Sequence, residues 1–172
     1  QTDLKQFLQM FAQEEVIPLN IEAWKIEISE QKQKKDDTKE LNVIKGINPN
    51  KFIHLLSQKS LQACAYTTDV GNNQMWTAQS IELNKIQRFL SSGGMGAMGY
   101  SLPAAIGACF AFEKKPVISI SGDGGFQINI QELQTIKRNG LPIKIVILNN
   151  HCLGMIRQFQ DSYFNSQYTS TV

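Results

Sequence analysis

The sequence predicts a doubly wound α/β fold, in which helices cover both faces of a parallel sheet. Two strand-like runs, at 117–120 and 143–148, are apolar almost throughout. Such runs are typical of strands that are buried on both faces, as in a parallel sheet. Segments with helical spacing of apolar residues alternate with the strands, which favours strand–helix–strand units over hairpins. The 172 residues contain 42% hydrophobic and 19% charged side chains, which suits one ordinary globular core.

Two helices are predicted before this domain, because apolar residues recur at helical spacing in 3–12 and 21–28. The charge run at 32–40 mixes both signs, so it indicates a solvated linker rather than a binding patch. We therefore expect residues 1–45 to form a helical linker or extension from a preceding domain, and residues 46–172 to form the main domain. No functional residue is expected before residue 46.

The elements of the main domain follow from capping residues and apolar runs. Asn48, followed by a proline, predicts the start of a helix. His54 lies in that helix with no acidic or cysteine partner nearby in the sequence, so we expect a structural or surface role for it. A sheet of four strands and two further helices is expected next: strands at 63–70, 87–91, 116–122 and 141–149, and helices around 104–112 and 130–138.

Charge and cysteine content exclude several classes of partner. A formal net charge of +2 gives no field for a polyanion, so nucleic acid is not an expected partner. No apolar stretch approaches the length that crosses a bilayer, so no membrane partner is expected either. Cys64, Cys109 and Cys152 are widely spaced without a CxxC pair, which fits neither a disulfide framework nor a zinc site. This usage predicts a cytoplasmic location.

Glycine-rich and amide-rich loops follow the predicted strands. In a doubly wound sheet, ligands bind in the crevice outside the carboxyl ends of the strands. The loops at 69–76, 91–99 and 122–125 should meet there, where glycines let a ligand approach the backbone and N–H groups can face phosphate oxygens. The loops therefore predict a phosphate-containing ligand.

Asp123 and Asn150 follow neighbouring strands, so both can lie at the same sheet edge. A carboxylate, an amide oxygen and a backbone carbonyl suit Mg²⁺, which completes its shell with phosphate oxygens and water. A magnesium-bound diphosphate is therefore predicted. A rival hypothesis is NAD, because Gly94-x-Gly96-x-x-Gly99 follows a strand and opens a helix, and Asp123 could then bind the ribose.

The ends of the third and fourth strands carry a pair of motifs with a fixed spacing. Gly122-Asp123-Gly124, then 24 residues, then Asn149-Asn150, resembles the signature of thiamine diphosphate enzymes. The segments 71–79, 91–100, 102–108 and 154–158 resemble acetolactate synthases (acetohydroxyacid synthase large subunits) within that group. Residues 63–164 carry the resemblance, which identifies the chain as the C-terminal cofactor-binding domain of such an enzyme.

The resemblance implies a role for each matching residue. Mg²⁺ would be bound by Asp123, the side-chain oxygen of Asn150 and the backbone carbonyl of Cys152. Met98 would hold thiamine diphosphate in a bent conformation, and the Gly96 carbonyl would accept a hydrogen bond from the aminopyrimidine. Small and amide residues would hold the diphosphate: Gly71, Asn72, Asn73, Gly122, Gly124 and Gly125. Met155 would contact the cofactor and, with Phe159, line the substrate pocket.

The resemblance also implies the reaction and the partners. A carboligase of this type, a transferase of branched-chain amino acid biosynthesis, decarboxylates a 2-oxo acid such as pyruvate and joins it to a second carbonyl to give 2-acetolactate or an analogue. The activating glutamate would lie on an N-terminal pyrimidine-binding domain of a partner subunit, so no catalytic residue is expected here and the chain alone should not turn over. A homodimer or larger assembly is implied, with room for a regulatory subunit and for FAD in the full-length enzyme.

Some features depart from the acetolactate synthase pattern. Asn72-Asn73 stands where these enzymes usually have Gln-His, and Phe159 stands where many have a tryptophan. A related decarboxylase or lyase of another pathway therefore stays open. The sequence stops before the final strand and helix that the resemblance implies, so we expect a domain truncated at its C-terminal end. We expect the Cys152 thiol to be a tolerated side chain and His151 an incidental loop residue.

Overall fold

The computed structural model describes residues 3–13, 20–39 and 45–171. Two compact units are present, Gln1–Asp36 and Asp37–Val172. The first unit contains the helices α1 (Leu4–Phe11) and α2 (Glu22–Lys34), which confirms the two predicted helices. The Asp3 carboxylate accepts hydrogen bonds from the backbone N–H groups of Lys5 and Gln6 and so caps α1. Helix α2 continues to Lys34, so the charge run begins inside a helix rather than in a linker.

The second unit alternates strands and helices. Its helices are α3 (Pro49–Lys59), α4 (Asn72–Ser80), α5 (Ser101–Ala111), α6 (Asp123–Ile128), α7 (Leu133–Asn139) and α8 (Gly154–Tyr163), with short 3₁₀ turns at Asp37–Lys39 and Ile130–Glu132. Its strands are β1 (Ala65–Thr68), β2 (Arg88–Ser91), β3 (Val117–Gly122) and β4 (Ile143–Leu148). The predicted cap at Asn48 is confirmed, since its side chain accepts from the Lys51 N–H.

The four strands form one parallel sheet in the order β2-β1-β3-β4. At its carboxyl edge Thr68 pairs with Ser91 on one side and with Ile120 on the other, while Gly122 pairs with Leu148. The ends of β1, β3 and β4 therefore lie side by side. The doubly wound parallel sheet expected from the sequence is confirmed.

Apolar side chains cover both faces of this sheet. On one face Ile53 of α3 packs with Tyr66 and Ile120 in a cluster of buried residues. On the other face Ala65 and Val117 pack with Ala105, Ala108 and Cys109 of α5. Alternation of Ala65 and Tyr66 along β1 sends successive side chains to opposite faces, as the pleat requires. None of the helices in the described ranges combines the length and hydrophobicity that a bilayer crossing requires.

Helix α6 begins directly after β3, and three residues separate the end of β1 from the start of α4, in segments where the sequence predicted only loops. Each starts among glycine and amide residues, which have low helix propensity and hide the boundary. Gly71 links β1 to α4 with a φ of +124°, a conformation that L side chains rarely adopt. The connections from strand to helix are therefore short, and the first turns of both helices lie at the carboxyl edge of the sheet.

His54 has acidic partners that lie far from it in the sequence. Its Nε2 lies 3.1 Å from both carboxylate oxygens of Asp37, and its Nδ1 lies 3.0 Å from Glu82 Oε1. Burial opposes the charge of His54, but the hydrogen bonds and negative charges of Asp37 and Glu82 together outweigh it and raise the pKa of His54. Asp37 also accepts hydrogen bonds from Ser80 Oγ and Asn50 Nδ2. These contacts join the Asp37 turn to α3 and α4, so the role of His54 is structural.

Candidate functional site

A cavity of about 180 Å³ lies at the carboxyl edge of the sheet. Residues from the segments that follow β1, β2, β3 and β4 line it together. Every residue that the sequence suggested as a cofactor contact is among them: Gly71, Asn72, Asn73, Gly96, Met98, Gly122, Asp123, Gly124, Gly125, Asn150 and Met155. Cys152 lines the same cavity. The structure thus brings these residues together, and their individual roles remain predictions.

The turn from β1 into α4 forms one wall of the cavity. Asn73 is almost fully buried; its Oδ1 accepts a hydrogen bond from Thr68 Oγ1 at 3.2 Å, and its Nδ2 donates to the Val70 carbonyl at 3.3 Å. The Asn73 amide is therefore bonded within its own turn. Asn72 instead extends toward the start of α8, since a Cβ added at Gly154 would lie 2.5 Å from Asn72 Nδ2.

The start of α6 is packed so closely that glycine is required there. A Cβ added at Gly124 would lie 2.8 Å from Leu153 Cδ2 and 3.7 Å from Met98 Cε. A Cβ added at Gly125 would collide with the Asp69 carboxylate. Because these side chains are absent, the loop after β2, the start of α6 and the start of α8 can converge on one space. The Met98 side chain forms its apolar wall beside Gly124.

Oxygen donors suited to a metal line the same cavity. Asp123 is the first residue of α6, and Asn150 follows β4. Asn150 Oδ1 accepts the Cys152 N–H at 3.3 Å, so the amide folds back toward residue 152 and holds the Cys152 backbone beside it. A carboxylate, an amide oxygen and a backbone carbonyl are therefore available from neighbouring strand ends. This donor set suits Mg²⁺ rather than a thiolate-binding or imidazole-binding metal.

Comparison with known families agrees with this geometry. The family described as "Thiamine pyrophosphate enzyme, C-terminal TPP binding domain" matches residues 69–172, which is more than half of the chain. The chain belongs to this family. Its cofactor is accordingly thiamine diphosphate (thiamine pyrophosphate) with Mg²⁺, and the glycine-rich start of α6 and the oxygen donors of Asp123 and Asn150 suit that group.

Several curated proteins are similar to this thiamine diphosphate-binding domain. The "Acetolactate synthase isozyme 2 large subunit" of Escherichia coli (strain K12) is 49% identical over 116 residues, covering 67% of this chain and 21% of that protein. The "Acetolactate synthase large subunit" of Lactococcus lactis subsp. lactis (strain IL1403) is 37% identical over 171 residues, covering 99% and 30%. "Acetolactate synthase 3, chloroplastic" of Brassica napus is 41% identical over 157 residues, covering 91% and 24%. The domain thus spans less than a third of each of these relatives.

The start of α5 argues against the NAD hypothesis for the Gly94-x-Gly96-x-x-Gly99 loop. In dinucleotide-binding folds the pyrophosphate sits at the N-terminus of the helix that follows such a loop. In this thiamine diphosphate-binding domain the Asp69 carboxylate accepts the N–H groups of Gly99 and Ser101 at that point, each at 2.9 Å. A protein carboxylate therefore occupies the place where a pyrophosphate would bind.

The two residues that follow Asn150 differ in their surroundings. His151 is exposed, has a φ of +57°, and donates its backbone N–H to Asn149 Oδ1 at 2.9 Å. It is not among the residues that line the cavity. Cys152 is partly buried and unpaired by any disulfide. The incidental role expected for His151 and the tolerated thiol expected at Cys152 both stay predictions.

Helix α8 carries both residues that were expected in the substrate pocket, but only Met155 lines the cavity. Phe159 is 55% exposed, and its ring centroid lies 4.8 Å from that of Tyr163 and 5.8 Å from that of Phe164. Since Phe159 stands four positions after Met155, both lie on the same face of α8, with Phe159 one turn further along. A contact between Phe159 and substrate therefore stays a prediction.

Several residues that line the cavity were not predicted as cofactor contacts from the sequence: Val70, Trp76, Leu148, Leu153, Gly154 and Ile156. Trp76 reaches the cavity because it stands one helical turn after Asn72 on α4, a helix that was not predicted. Leu153 and Ile156 flank the start of α8 and add apolar surface beside Met155. Helical spacing from Asn72 was the signal that could have found Trp76.

Proposed function

We propose that this chain is the diphosphate- and Mg²⁺-binding half of a carboligase that decarboxylates a 2-oxo acid, pyruvate, and joins it to a second carbonyl to give 2-acetolactate or a close analogue. The observation that carries the proposal is the meeting of Asp123, Asn150, Gly96 and Met98 at one cavity. Relatives named acetolactate synthase, at 37% to 49% identity, support the reaction.

The diphosphate end of the cofactor would lie against α4, α6 and the end of β4. There Asp123, the Asn150 side chain and the Cys152 carbonyl would bind Mg²⁺, and the backbone of Gly71 and Gly122 would border the diphosphate; all five residues line the cavity. The first turn of α4 contributes N–H groups without intrahelical partners, which favour an anion. The glycines allow the close approach that these contacts need.

The ring end would lie against the loop after β2. The Gly96 carbonyl would accept a hydrogen bond from the aminopyrimidine, and Met98 would support the ring; both residues line the cavity. Trp76, Leu153 and Ile156 add an apolar lining that excludes water from the reacting carbons. When bound, thiamine diphosphate supplies the electron sink that decarboxylation of a 2-oxo acid needs. The residues of this chain bind and orient it, and no catalytic residue is assigned to them.

The rest of the active site belongs to other parts of the proposed enzyme. A glutamate that activates the aminopyrimidine lies on an N-terminal pyrimidine-binding domain of a partner subunit, so the working unit is a homodimer or a larger assembly, and the isolated chain does not turn over. Residues 1–45 then form an extension from the preceding domain, and 46–172 form the cofactor domain. A regulatory subunit and FAD belong to the same proposal at the level of the full-length enzyme. The three free cysteines of this chain support a cytoplasmic location for the proposed enzyme.

A second candidate is a related thiamine diphosphate-dependent decarboxylase or lyase with a different 2-oxo acid. It is supported by Phe159, which is exposed and lies outside the cavity lining, so the acceptor side carries no aromatic wall from this helix. Product analysis of the full-length enzyme with pyruvate distinguishes the two candidates. Accumulation of 2-acetolactate supports the first, whereas release of an aldehyde without formation of a new carbon–carbon bond, or no turnover of pyruvate, supports the second.

The site assignment is tested by calorimetric titration of thiamine diphosphate into the chain with Mg²⁺ and with EDTA, with NAD as a parallel ligand. We expect binding of thiamine diphosphate that depends on Mg²⁺, and none of NAD. Asp123→Ala should abolish the Mg²⁺-dependent binding while the fold remains intact, because it removes the only carboxylate of the proposed donor set. Asp161→Ala, at an exposed position of α8, is the matched control and should bind as the wild type does. Unchanged affinity in Asp123→Ala would refute the assignment.

A further inference from the structure

Asp69 lies directly after β1, is fully buried, and does not line the cavity. Its carboxylate accepts three backbone N–H groups: Oδ1 accepts those of Val70 and Gly99, and Oδ2 accepts that of Ser101, all at 2.9 Å. Charge-assisted hydrogen bonds of this kind compensate the cost of burying a carboxylate. The side chain therefore connects the end of β1 to the loop that follows β2 and to the start of α5.

Two more side chains hold the same loop from the carbonyl side. Thr67 Oγ1 donates to the Ser101 carbonyl at 2.8 Å, and Asn129 Nδ2 donates to the Gly99 carbonyl at 2.7 Å. The N–H and the carbonyl of Gly99 and of Ser101 are thus all bonded to side chains of other segments. We call Thr67, Asp69 and Asn129 the loop clamp.

The loop clamp also sets the distance between the glycine-rich loop and α6. Gly125 packs against the Asp69 carboxylate so closely that a Cβ there would collide with it. Gly99 has a φ of +82°, and a Cβ added to it would lie 2.8 Å from Asn129 Nδ2 and from Ile128 Cγ2. Met98 immediately precedes this restrained glycine and reaches the space beside Gly124. The position of Met98 relative to α6 therefore depends on Asp69.

We propose that Asp69 is a positioning residue for the ring end of the cofactor: through the loop clamp it holds Gly96 and Met98 against α6, without touching the cofactor itself. This inference rests on the proposed function, since it assigns the loop after β2 to the ring and α6 to the diphosphate. Asparagine at this position keeps the size but replaces one accepting oxygen with an NH₂ group that faces a backbone N–H. One arm of the clamp is then lost and a buried donor is left unpaired.

The test compares two probes, thiamine diphosphate and inorganic pyrophosphate, each titrated with Mg²⁺ into the chain and into Asp69→Asn. Pyrophosphate reports on the diphosphate end alone, whereas thiamine diphosphate reports on both ends. We expect Asp69→Asn to weaken thiamine diphosphate binding about tenfold or more, and pyrophosphate binding by less than about threefold. Amide exchange of Gly99 and Ser101, measured by NMR, should become faster. Asp3→Asn is the control: the Asp3 carboxylate, like that of Asp69, accepts backbone N–H groups, but Asp3 caps the N-terminus of α1.

The other possible results of the two titrations would overturn either the positioning role of Asp69 or the proposed function. Equal weakening of both probes in Asp69→Asn would show a general structural role and overturn the positioning role. Unchanged binding of thiamine diphosphate would overturn it as well, and in either case the proposed function stands because the wild type binds. If the wild-type chain did not bind thiamine diphosphate, whether or not it bound pyrophosphate, both the proposed function and this inference would be overturned.

Discussion

Replacing Gly154 with alanine should stabilise the fold and weaken cofactor binding at the same time. Gly154 is the first residue of α8, and alanine is more favourable than glycine in a helix by up to about 1 kcal/mol. The added Cβ, however, would lie 2.5 Å from Asn72 Nδ2 and 2.8 Å from Asn150 Nδ2. Asn72 Cγ would follow at 2.9 Å, so all three close contacts fall on side chains rather than on the backbone. The collision therefore displaces the two amides that the proposed function places on the diphosphate and the metal.

The expected size follows from what those amides contribute. Displacing a hydrogen bond to a charged group costs about 1.5–3 kcal/mol, which corresponds to about a tenfold to hundredfold loss of affinity. Thermal unfolding gives the stability and calorimetric titration with Mg²⁺ and thiamine diphosphate gives the affinity. Gly107→Ala is the matched control: it lies within α5 with nothing within 4 Å of the added Cβ, so it should stabilise the fold and leave binding unchanged. If Gly154→Ala bound the cofactor as tightly as Gly107→Ala, Asn72 and Asn150 would not be cofactor contacts.

Two further predictions concern stability. The pKa of His54 is raised, so its contribution to stability is complete below about pH 6.5 and is lost as pH rises through the raised pKa. The pKa of Asp37 is lowered, so its contribution to stability is complete above about pH 3.8 and is lost as pH falls through the lowered pKa. His54→Gln should therefore lose stability most between these two values and little at pH 9, as denaturant titration at several pH values would show; an equal loss at every pH would contradict the ion pair. Ile53→Ala should lower the free energy of unfolding by about 2–5 kcal/mol, because Ile53 is fully buried between α3 and the sheet. A loss below about 1 kcal/mol in urea unfolding would mean that this cluster can collapse around the change.

The third strand could be predicted most directly, because its apolar run reflects burial on both faces of the sheet. All four predicted strands are present, and their core segments fall within the predicted ranges. Helices α4 and α6 could not be found in this way. Helix α4 begins with asparagines and α6 with an aspartate and two glycines, and those residue types carry little helical signal.

The site residues could be named from local motifs, whereas the residues that hold them could not. Asp123 and Asn150 stand in a recognisable spacing, but Asp69 acts through backbone N–H groups 30 and 32 positions away, and a backbone donor leaves no side-chain pattern in a sequence. His54 could not be paired from the sequence for a different reason: its partners are side chains, but Asp37 and Glu82 lie 17 and 28 positions away. Contacts of this range exist only once the sheet has formed.

The strand order has a consequence for where the cavity can lie. From β1 the chain moves outward through α4 to β2, and from β3 it moves outward in the opposite direction through α6 and α7 to β4. The two connections diverge from adjacent central strands, so a gap opens between them at the topological switch point of the sheet. Its location is a property of the winding of the chain rather than of the side chains around it. Substitutions in the loops can therefore change what this crevice binds while the crevice itself persists.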